Sequence, residues 1–282
     1  MRFVAPARES IDPAVFTRSP LSQWAQFGAL LQGPDWPGVA ALNRHAHDVA
    51  IGEMPHFGAA AQHMPRFVAQ TTELLRDGLH YETRIAERGA IATRERNWHD
   101  LLNALIWLRY PALKTALNAR QCAEIARIGA KQRSRAQCAL THFDEAGIVV
   151  ALRDARLLAL WDAHDWHGLF WRERAAWSDG RIEVDVFGHA LLEHALKPQQ
   201  LLVGKALVAM RQSVKGENST SCVAAAVARA ELLNDPQELR PLPLSGIPGW
   251  HVENAREAFY RDAPCFRPLR EGRRYAQPLV MA

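Results

Sequence analysis

One stretch near the middle of the chain restricts the fold more than any other. Apolar side chains recur at intervals of three and four residues from Trp98 to Leu108, which is the period of an amphipathic helix. Asn97 precedes them as a preferred N-cap residue, and Pro111 disfavours the helical conformation at the residue before it. Because proline is tolerated in the first turn of a helix, a second helix is predicted to start at Pro111 and to end near Gly129.

Shorter segments on either side of these helices favour extended structure. Residues 67–71 and 181–186 are predicted to be strands. Two hairpins are also predicted. One covers residues 81–93 with its turn at Gly89, and the other covers residues 138–152 with a type I turn.

The remaining pattern is mostly helical until position 235, after which the chain is rich in proline. We therefore predict an α+β fold, a predominantly helical single domain with short antiparallel hairpins and an irregular Pro-rich C-terminal segment. Within this one globular domain we expect an N-terminal helical or irregular arm packed on the body (1–65), an α+β core (66–240) and a wrapping tail (241–282). Further helices are predicted at residues 21–31, 38–48, 153–163, 166–176, 187–196, 201–212 and 220–233.

Composition and motif content exclude several classes of protein. The four cysteines lack the C-x-x-C spacing of zinc ribbons and redox pairs, and they are too sparse for a disulfide scaffold. No apolar stretch approaches the roughly 18 residues of a membrane helix, and the N-terminus lacks the apolar core of a signal peptide. Glycine-rich phosphate-binding motifs and the G-x-S-x-G elbow are absent. We expect a cytoplasmic protein that does not contact membranes.

Two zones concentrate positive charge in a chain whose formal net charge is +4. Residues 109–135 contain seven Lys or Arg against one Glu, and residues 267–274 contain four Arg against one Glu. Such zones could present a patch to phosphates, nucleic acid or an acidic partner, or they could be solvated faces. Neither interleaves aromatic residues with arginine as single-strand binders do.

Two helices each place a histidine one turn from another polar residue. His99 and Asn103 are candidate catalytic residues, since an imidazole beside an amide could exchange protons or bind a metal or polar substrate. A boundary histidine bonded to the backbone or to Asp100 also explains His99. His189 and Glu193 repeat the spacing and are candidate ligands of a divalent metal ion, although a local pair at a helix start also explains them.

Charged side chains and one further amide supply the remaining candidates. Asp144 and its neighbour Glu145 lie at the tip of the predicted second hairpin, where Asp144 could act as a base or an extra ligand. Turn formation alone also explains an aspartate at that position. Arg94, Lys114 and Asn118 could surround the phosphate or carboxylate of an anionic ligand, or such charges could pair with surface glutamates.

Several runs occur together in an order and spacing that resemble one known family. They are Asn97–Leu108, Phe143–Gly147, Phe187–Glu193 and Gly246–Trp250. The chain resembles the bacterial domain of unknown function 3025 family over roughly residues 60–270. The resemblance implies a bacterial, soluble protein, and the family offers no known catalytic residues to transfer.

Two functions from different classes therefore remain open. The first is a metal-assisted hydrolase acting on an anionic small molecule or a phosphoester, with the candidate residues lining one cleft. The second is a non-catalytic protein that binds nucleic acid or an acidic partner through the 109–135 basic zone. The first requires imidazoles and carboxylates that are distant in sequence to meet in one cavity.

Overall fold

The computed structural model describes residues 3–52, 64–211 and 218–281. Helices hold 52% of the residues and strands 14%, which confirms the predicted α+β class with mostly helical content. The helices are α1 (Gly28–Gln32), α2 (Val39–Gly52), α3 (Thr72–Leu75), α4 (Tyr81–Arg88), α5 (Trp98–Arg109), α6 (Pro111–Ile128), α7 (Arg135–Ala146), α8 (Ala155–Asp162), α9 (His189–Ala195), α10 (Ser219–Ala228) and α11 (Phe259–Asp262). The strands are β1 (Arg66–Ala69), β2 (Ala90–Thr93), β3 (Gly147–Leu152), β4 (Ile182–Val186), β5 (Val203–Arg211), β6 (Arg240–Pro243) and β7 (Leu279–Met281).

The two central helices form as predicted. The side chain of Asn97 accepts a hydrogen bond from the backbone N–H of Asp100 at 3.0 Å and so caps α5. α6 begins at Pro111, and the N–H of Gly129 closes its last turn on the carbonyl of Ile125 at 2.8 Å. Eight of the 12 residues of α5 are buried, so this helix crosses the hydrophobic core and fixes the helices around it.

The main sheet has five strands in the order β4-β3-β5-β6, with β7 also paired to β5. β5 runs parallel to β3 and β7 and antiparallel to β6, and β3 runs antiparallel to β4. β1 and β2 form a separate parallel pair. All six residues of β3 are buried, as expected for a strand covered on both faces.

The helix predicted over residues 201–212 is wrong, because this stretch contains β5, and residue 212 lies outside the described residues. Its alanines, leucine and methionine favour helices in isolation. Here the backbone hydrogen-bonds to β3 on one side and to β6 and β7 on the other. Sheet pairing and burial therefore override local propensity.

The hairpin predicted over residues 81–93 is also wrong. Residues 81–88 form α4, and Gly89 ends it in the left-handed conformation at φ 56° before β2 begins. Tyr81 and Ile85 are one helical turn apart, and the face they share with the buried Arg84 turns inward. The chain does turn at Gly89, as predicted, but the apolar residues before it recur at the period of a helix and not of a strand.

The first arm of the hairpin predicted over residues 138–152 is a helix as well. Ser134 accepts from the N–H of Gln137 at 3.0 Å, and the side chain of Gln137 accepts from the N–H of Ser134 at 3.0 Å. This capping box starts α7, which runs to Ala146. Asp144 and Glu145 therefore lie in its last turn and not at a hairpin tip, while the second arm is β3 as predicted.

Two glycines bring the C-terminal end of α7 against the start of α9. A Cβ atom on Gly188 would lie 2.5 Å from the backbone nitrogen of Gly147 and 2.4 Å from the Cα of Ala146. The N–H groups of Phe187 and Gly188 both donate to the carbonyl of Gly147, at 2.9 and 2.8 Å. Because only a residue without a side chain permits this approach, His189 is placed beside the last turn of α7.

Most of the other predicted elements are present. The strands predicted at residues 67–71 and 181–186 correspond to β1 and β4, and the helices at 153–163, 187–196 and 220–233 to α8, α9 and α10. Helical structure also covers the segments predicted at 21–31, 38–48 and 166–176, the last as a π-helical turn (Gly168–Arg172) and a 3₁₀ turn (Arg174–Trp177).

The division into arm, core and tail stays a prediction, and residues 53–63 of the arm lie outside the described residues. Nowhere in residues 3–52, 64–211 and 218–281 is a helix both long and apolar enough to cross a bilayer.

Candidate functional site

A cavity of about 340 Å³ lies between α4, α5, α6, α7 and the first residue of α9. Seven of the eight candidate residues from the sequence line it, although they come from segments up to 95 positions apart. The eighth, Glu193, is hydrogen-bonded to one of the seven, His99. The seven are Arg94, His99, Asn103, Lys114, Asn118, Asp144 and His189.

Two imidazoles meet at the centre of this cluster. Nε2 of His99 and Nε2 of His189 are 3.0 Å apart, and the ring planes cross at 79°. Oε2 of Glu145 lies 3.6 Å from the same nitrogen of His189. One ligand atom from each of these three residues lies within 4.8 Å of the other two, so the three could hold one metal ion.

Each imidazole has a carboxylate behind its other nitrogen. Nδ1 of His99 is hydrogen-bonded to Oε2 of Glu193 at 3.1 Å, and Nδ1 of His189 lies 3.9 Å from Oδ2 of Asp144. Glu193, predicted as a ligand beside His189, thus contacts His99 instead. It bonds to Nδ1 of His99, whereas Nε2 of the same ring faces His189. The hydrogen bond to Glu193 is of the kind that fixes the ring orientation and the tautomer of metal-binding histidines, whereas the buried Nδ1 of His189 has no hydrogen-bond partner among the described residues.

The two histidines differ in protonation. Burial lowers the pKa of His189 to about 3, so its imidazole is neutral at pH 7. The hydrogen bond to Glu193 raises the pKa of His99 despite partial burial. Burial also raises the pKa of Glu145. A proton on Nε2 of His99 can therefore occupy the short gap to His189, and a cation would compete with that proton.

A buried ion pair borders the imidazole cluster. The ammonium of Lys114 donates to Oδ1 of Asp144 at 2.6 Å and to Oδ1 of Asn103 at 2.9 Å, and the side chain of Lys114 is only 5% exposed. Nδ2 of Asn103 donates to the hydroxyl oxygen of Tyr81 at 2.9 Å. Burial alone would raise the pKa of Asp144, but Lys114 and the nearby histidines hold it below its usual value. Asp144 is therefore ionised at neutral pH.

The remaining candidates lie on the other walls. Nδ2 of Asn118 donates to the backbone carbonyl of Glu82 at 2.9 Å and to its Oε2 at 2.6 Å. Burial, followed by the charge of Asp144, raises the pKa of Glu82. The half-exposed Arg94 holds Asp100 through its backbone N–H at 2.6 Å and through its guanidinium at 2.7 and 3.1 Å. Arg94 and Asn118 thus each hold a carboxylate.

A comparison with known families adds one finding. A family model described as "Protein of unknown function (DUF3025)" matches residues 65–270. The chain belongs to the DUF3025 family. No curated protein and no solved structure matches it at a significant level. The matched region contains every residue of the cavity described above, so the site lies within the DUF3025 domain.

Sequence reasoning did not select Glu145 and Glu82 of this DUF3025 chain as site residues. The sequence places Glu145 beside Asp144 at a predicted hairpin tip, and only Asp144 is selected there as a candidate. A prediction of α7 as a helix would indicate Glu145, because the last turn of that helix can place both carboxylates beside the start of α9. Nothing in the sequence indicates Glu82 as a site residue. The segment is predicted as a strand, whereas in the structure it is α4, which places Glu82 at the cavity.

The 109–135 basic zone of the DUF3025 chain is largely engaged in internal contacts. The guanidinium of Arg109 donates to the carbonyl of Gln23, and Lys114 is buried with Asp144. The buried Arg120 donates to two backbone carbonyls and to the side chain of Asn234. Ion pairs hold two more members of the zone: Arg127 with Glu124, and Arg135 with Asp235. Five of its seven cations thus have partners, which leaves nucleic-acid binding as a prediction that no contact favours.

Proposed function

We propose that the protein is a metal-dependent hydrolase whose divalent cation is held by His99, His189 and Glu145. One observation carries the proposal: two histidine Nε2 atoms and one carboxylate oxygen converge within 4.8 Å in a cavity. Two histidines and one carboxylate form the ligand set of a common class of hydrolytic zinc sites, and they also suit non-haem iron.

The spacing of the ligand atoms fits a small cation. Ligands about 2.0–2.1 Å from a tetrahedral zinc ion are about 3.3–3.4 Å apart. The 3.0 Å between the two Nε2 atoms and the 3.6 Å from Nε2 of His189 to Oε2 of Glu145 lie on either side of that value. Small side-chain movements would therefore equalise these distances.

The charges around the cluster also favour a cation. Four carboxylates and three cationic side chains line the cavity, histidines aside, and Glu193 adds a further negative charge behind His99. His189 is already in the neutral form that a metal requires. A divalent ion would offset the excess of negative charge.

Three protein ligands leave one position of a tetrahedral metal ion open to water, and a bound metal ion lowers the pKa of that water. A proton acceptor is also needed. Glu82 suits this role because burial raises the pKa of its carboxyl group. The base role predicted for Asp144 stays a prediction, and its contact with Lys114 favours positioning instead.

The size of the cavity suits a small substrate. A volume of about 340 Å³ lies at the lower end of the range for small-molecule sites. Arg94 is half exposed at its wall, and Arg133 also lines it. Arg133 supports an anionic substrate such as a phosphoester, whereas Arg94, Lys114 and Asn118 are occupied by internal partners.

Metal content and activity of the purified full chain test the proposal. After reconstitution with zinc, manganese or ferrous iron, mass spectrometry should find about one ion per chain. His189→Ala and Glu145→Gln should lose it, and His142→Ala, an exposed histidine on the same helix as Glu145, should retain it. The metal-loaded protein should hydrolyse p-nitrophenyl phosphate, and a chelator should stop the reaction. Absence of stoichiometric metal in all three reconstitutions would refute the proposal.

A further inference from the structure

A second cavity, of about 740 Å³, lies beside β5 and β6 under the C-terminal segment. Four cationic side chains line it: Lys205 from β5, and Arg267, Arg270 and Arg273 from the C-terminal segment. No Asp or Glu is among the described residues that line it, and Glu271, the one acid of residues 267–274, is exposed elsewhere. The cavity thus has four positive charges and no carboxylate on its walls.

Lys205 is the least expected of these cations. It lies on a central strand and is half buried, and its neighbour Ala206 is fully buried on the opposite face of the sheet. Within the described part of the chain, no hydrogen bond or ion pair reaches its ammonium group. Burial, followed by the charges of Arg270 and Arg273, lowers its pKa. Such a charge destabilises the fold unless a ligand compensates it.

Contacts of His164 and Trp166 hold another part of the cavity wall together. Nε2 of His164 is hydrogen-bonded to the hydroxyl of Tyr275 at 2.8 Å, and its Nδ1 to the carbonyl of Arg267 at 3.0 Å. His164 has a φ of 53°, which is unusual for a residue other than glycine. The indole N–H of Trp166 donates to the same carbonyl of Arg267 at 2.7 Å.

Contacts within the cavity also place Arg273. Its guanidinium lies 4.4 Å from the ring centroid of Tyr275, and it donates to the carbonyl of Gln237. The guanidinium of Arg273 is thus positioned by a backbone and a ring contact, the backbone of Arg267 is held by His164 and Trp166, and no carboxylate lines the cavity beside them. Guanidinium groups arranged in this way bind phosphate oxygens through paired N–H donors.

We propose that this cavity binds a small organic phosphate carrying at least two negative charges. Lys205 and the three arginines would contact its phosphate oxygens, and the apolar walls, which include Val203 and Leu239, would contact the organic part. The volume is far larger than a phosphate ion needs and lies within the range of small-molecule sites. The cations line a concave cavity, which favours a small ligand over a nucleic-acid backbone.

Calorimetric titration of the full chain with inorganic pyrophosphate and with ADP tests the inference, and adenosine at the same ionic strength serves as the uncharged control. Both phosphates should bind and adenosine should not. Arg270→Gln and Lys205→Met should each weaken binding about tenfold or more. Arg274→Gln removes one charge from the same exposed segment without touching the cavity, so it should change the affinity less than about twofold.

Three results would overturn the inference. If neither phosphate binds at millimolar concentration, the cavity is not a phosphate site. If Arg274→Gln weakens binding as much as Arg270→Gln does, the binding comes from diffuse surface charge. Tighter binding of a short single-stranded RNA, reduced by the same variants, makes nucleic acid the ligand. Repeating the titrations with His189→Ala distinguishes this site from the proposed metal centre. The affinity of that variant for pyrophosphate and ADP should be unchanged.

Discussion

The two cavities of this protein have opposite charge. The cavity of His99 and His189 is lined by four carboxylates against three cations, with Glu193 behind, and ion pairs join Arg94 to Asp100 and Lys114 to Asp144. The cavity of Lys205 is lined by four cations and no carboxylate. The sign of the uncompensated charge indicates the ligand in each case, a cation in the first and an anion in the second.

The two cavities also differ in how much stability their charges contribute. In the first, the buried charges of Lys114 and Asp144 form an ion pair at 2.6 Å, which offsets their loss of hydration. In the second, Arg270 and Arg273 add repulsion to the burial of Lys205, and no carboxylate is among the described residues that line the cavity. Substitutions should therefore act in opposite directions on the two sides of the molecule.

The largest effect is expected from Lys114→Met. It leaves the carboxylate of Asp144 unpaired at 22% exposure, and removing one partner of such a pair costs about 3–5 kcal/mol of unfolding free energy. Chemical denaturation measures this change. The double variant Lys114→Met with Asp144→Asn should recover much of the loss, and Arg127→Met, which breaks the exposed pair with Glu124, should cost less than about 1 kcal/mol. Equal losses in the two single variants would contradict the difference in burial.

A smaller effect is expected from Glu193→Gln, which keeps the shape of the side chain but removes its charge. Metal affinity at pH 8 should fall by about 10–100-fold, because second-layer carboxylates orient and polarise histidine ligands. Glu87→Gln, an exposed glutamate on α4, should leave the affinity unchanged. Isothermal titration with zinc measures both variants, and identical affinities would show that Glu193 does not act through His99.

The pH dependence follows from the same contact. In the metal-free protein the raised pKa of His99 means that its protonated form stabilises the fold. This contribution is complete below about pH 6.5 and is lost as pH rises through the higher folded pKa. Metal binding has the reverse trend, since it weakens as pH falls and His99 takes up its proton. Thermal unfolding from pH 5 to 9 with and without zinc should show both trends, and Glu193→Gln should reduce the first.

The smallest effect has the opposite sign. Lys205→Met removes a half-buried charge that has only repulsive neighbours, so the ligand-free protein should melt on the order of 2 °C higher, as expected for under about 1 kcal/mol in a chain of this size. The same variant should lose binding of pyrophosphate. A lower melting temperature would show that Lys205 has a stabilising role, and the contrast between the two cavities would then fail.

The sequence predicted the central helices well because their signals are local. Asn97, Pro111 and Gly129 act through their own backbone conformation, and the apolar stripe of α5 has a clear period. The same signals put His99, Asn103 and Lys114 on faces that meet, so most of the first cavity followed from helix geometry. Their catalytic and binding roles are still predictions.

The errors occurred where tertiary pairing decides the structure. β5 reads as a helix until its partners β3 and β6 are known, so Lys205 could not be assigned to a strand or to a cavity. The sequence shows that residues 267–274 form a basic zone. It does not show that three of their arginines line one cavity with Lys205 of β5. Glu145 is absent from the candidates because the predicted turn covers residues 144–147, of which the first three are the end of α7.

The close approach of Gly188 to Gly147 has a consequence for mutational tolerance. Neither position carries a functional group, yet together they set the separation between the segments that hold His189 and Glu145. Even a single added methyl group at Gly188 would meet backbone atoms, which cannot move aside as a flexible side chain can. The geometry of the site therefore depends on a point where the chain has no side chain at all, and a homologue could retain every polar residue of the cavity and differ only there.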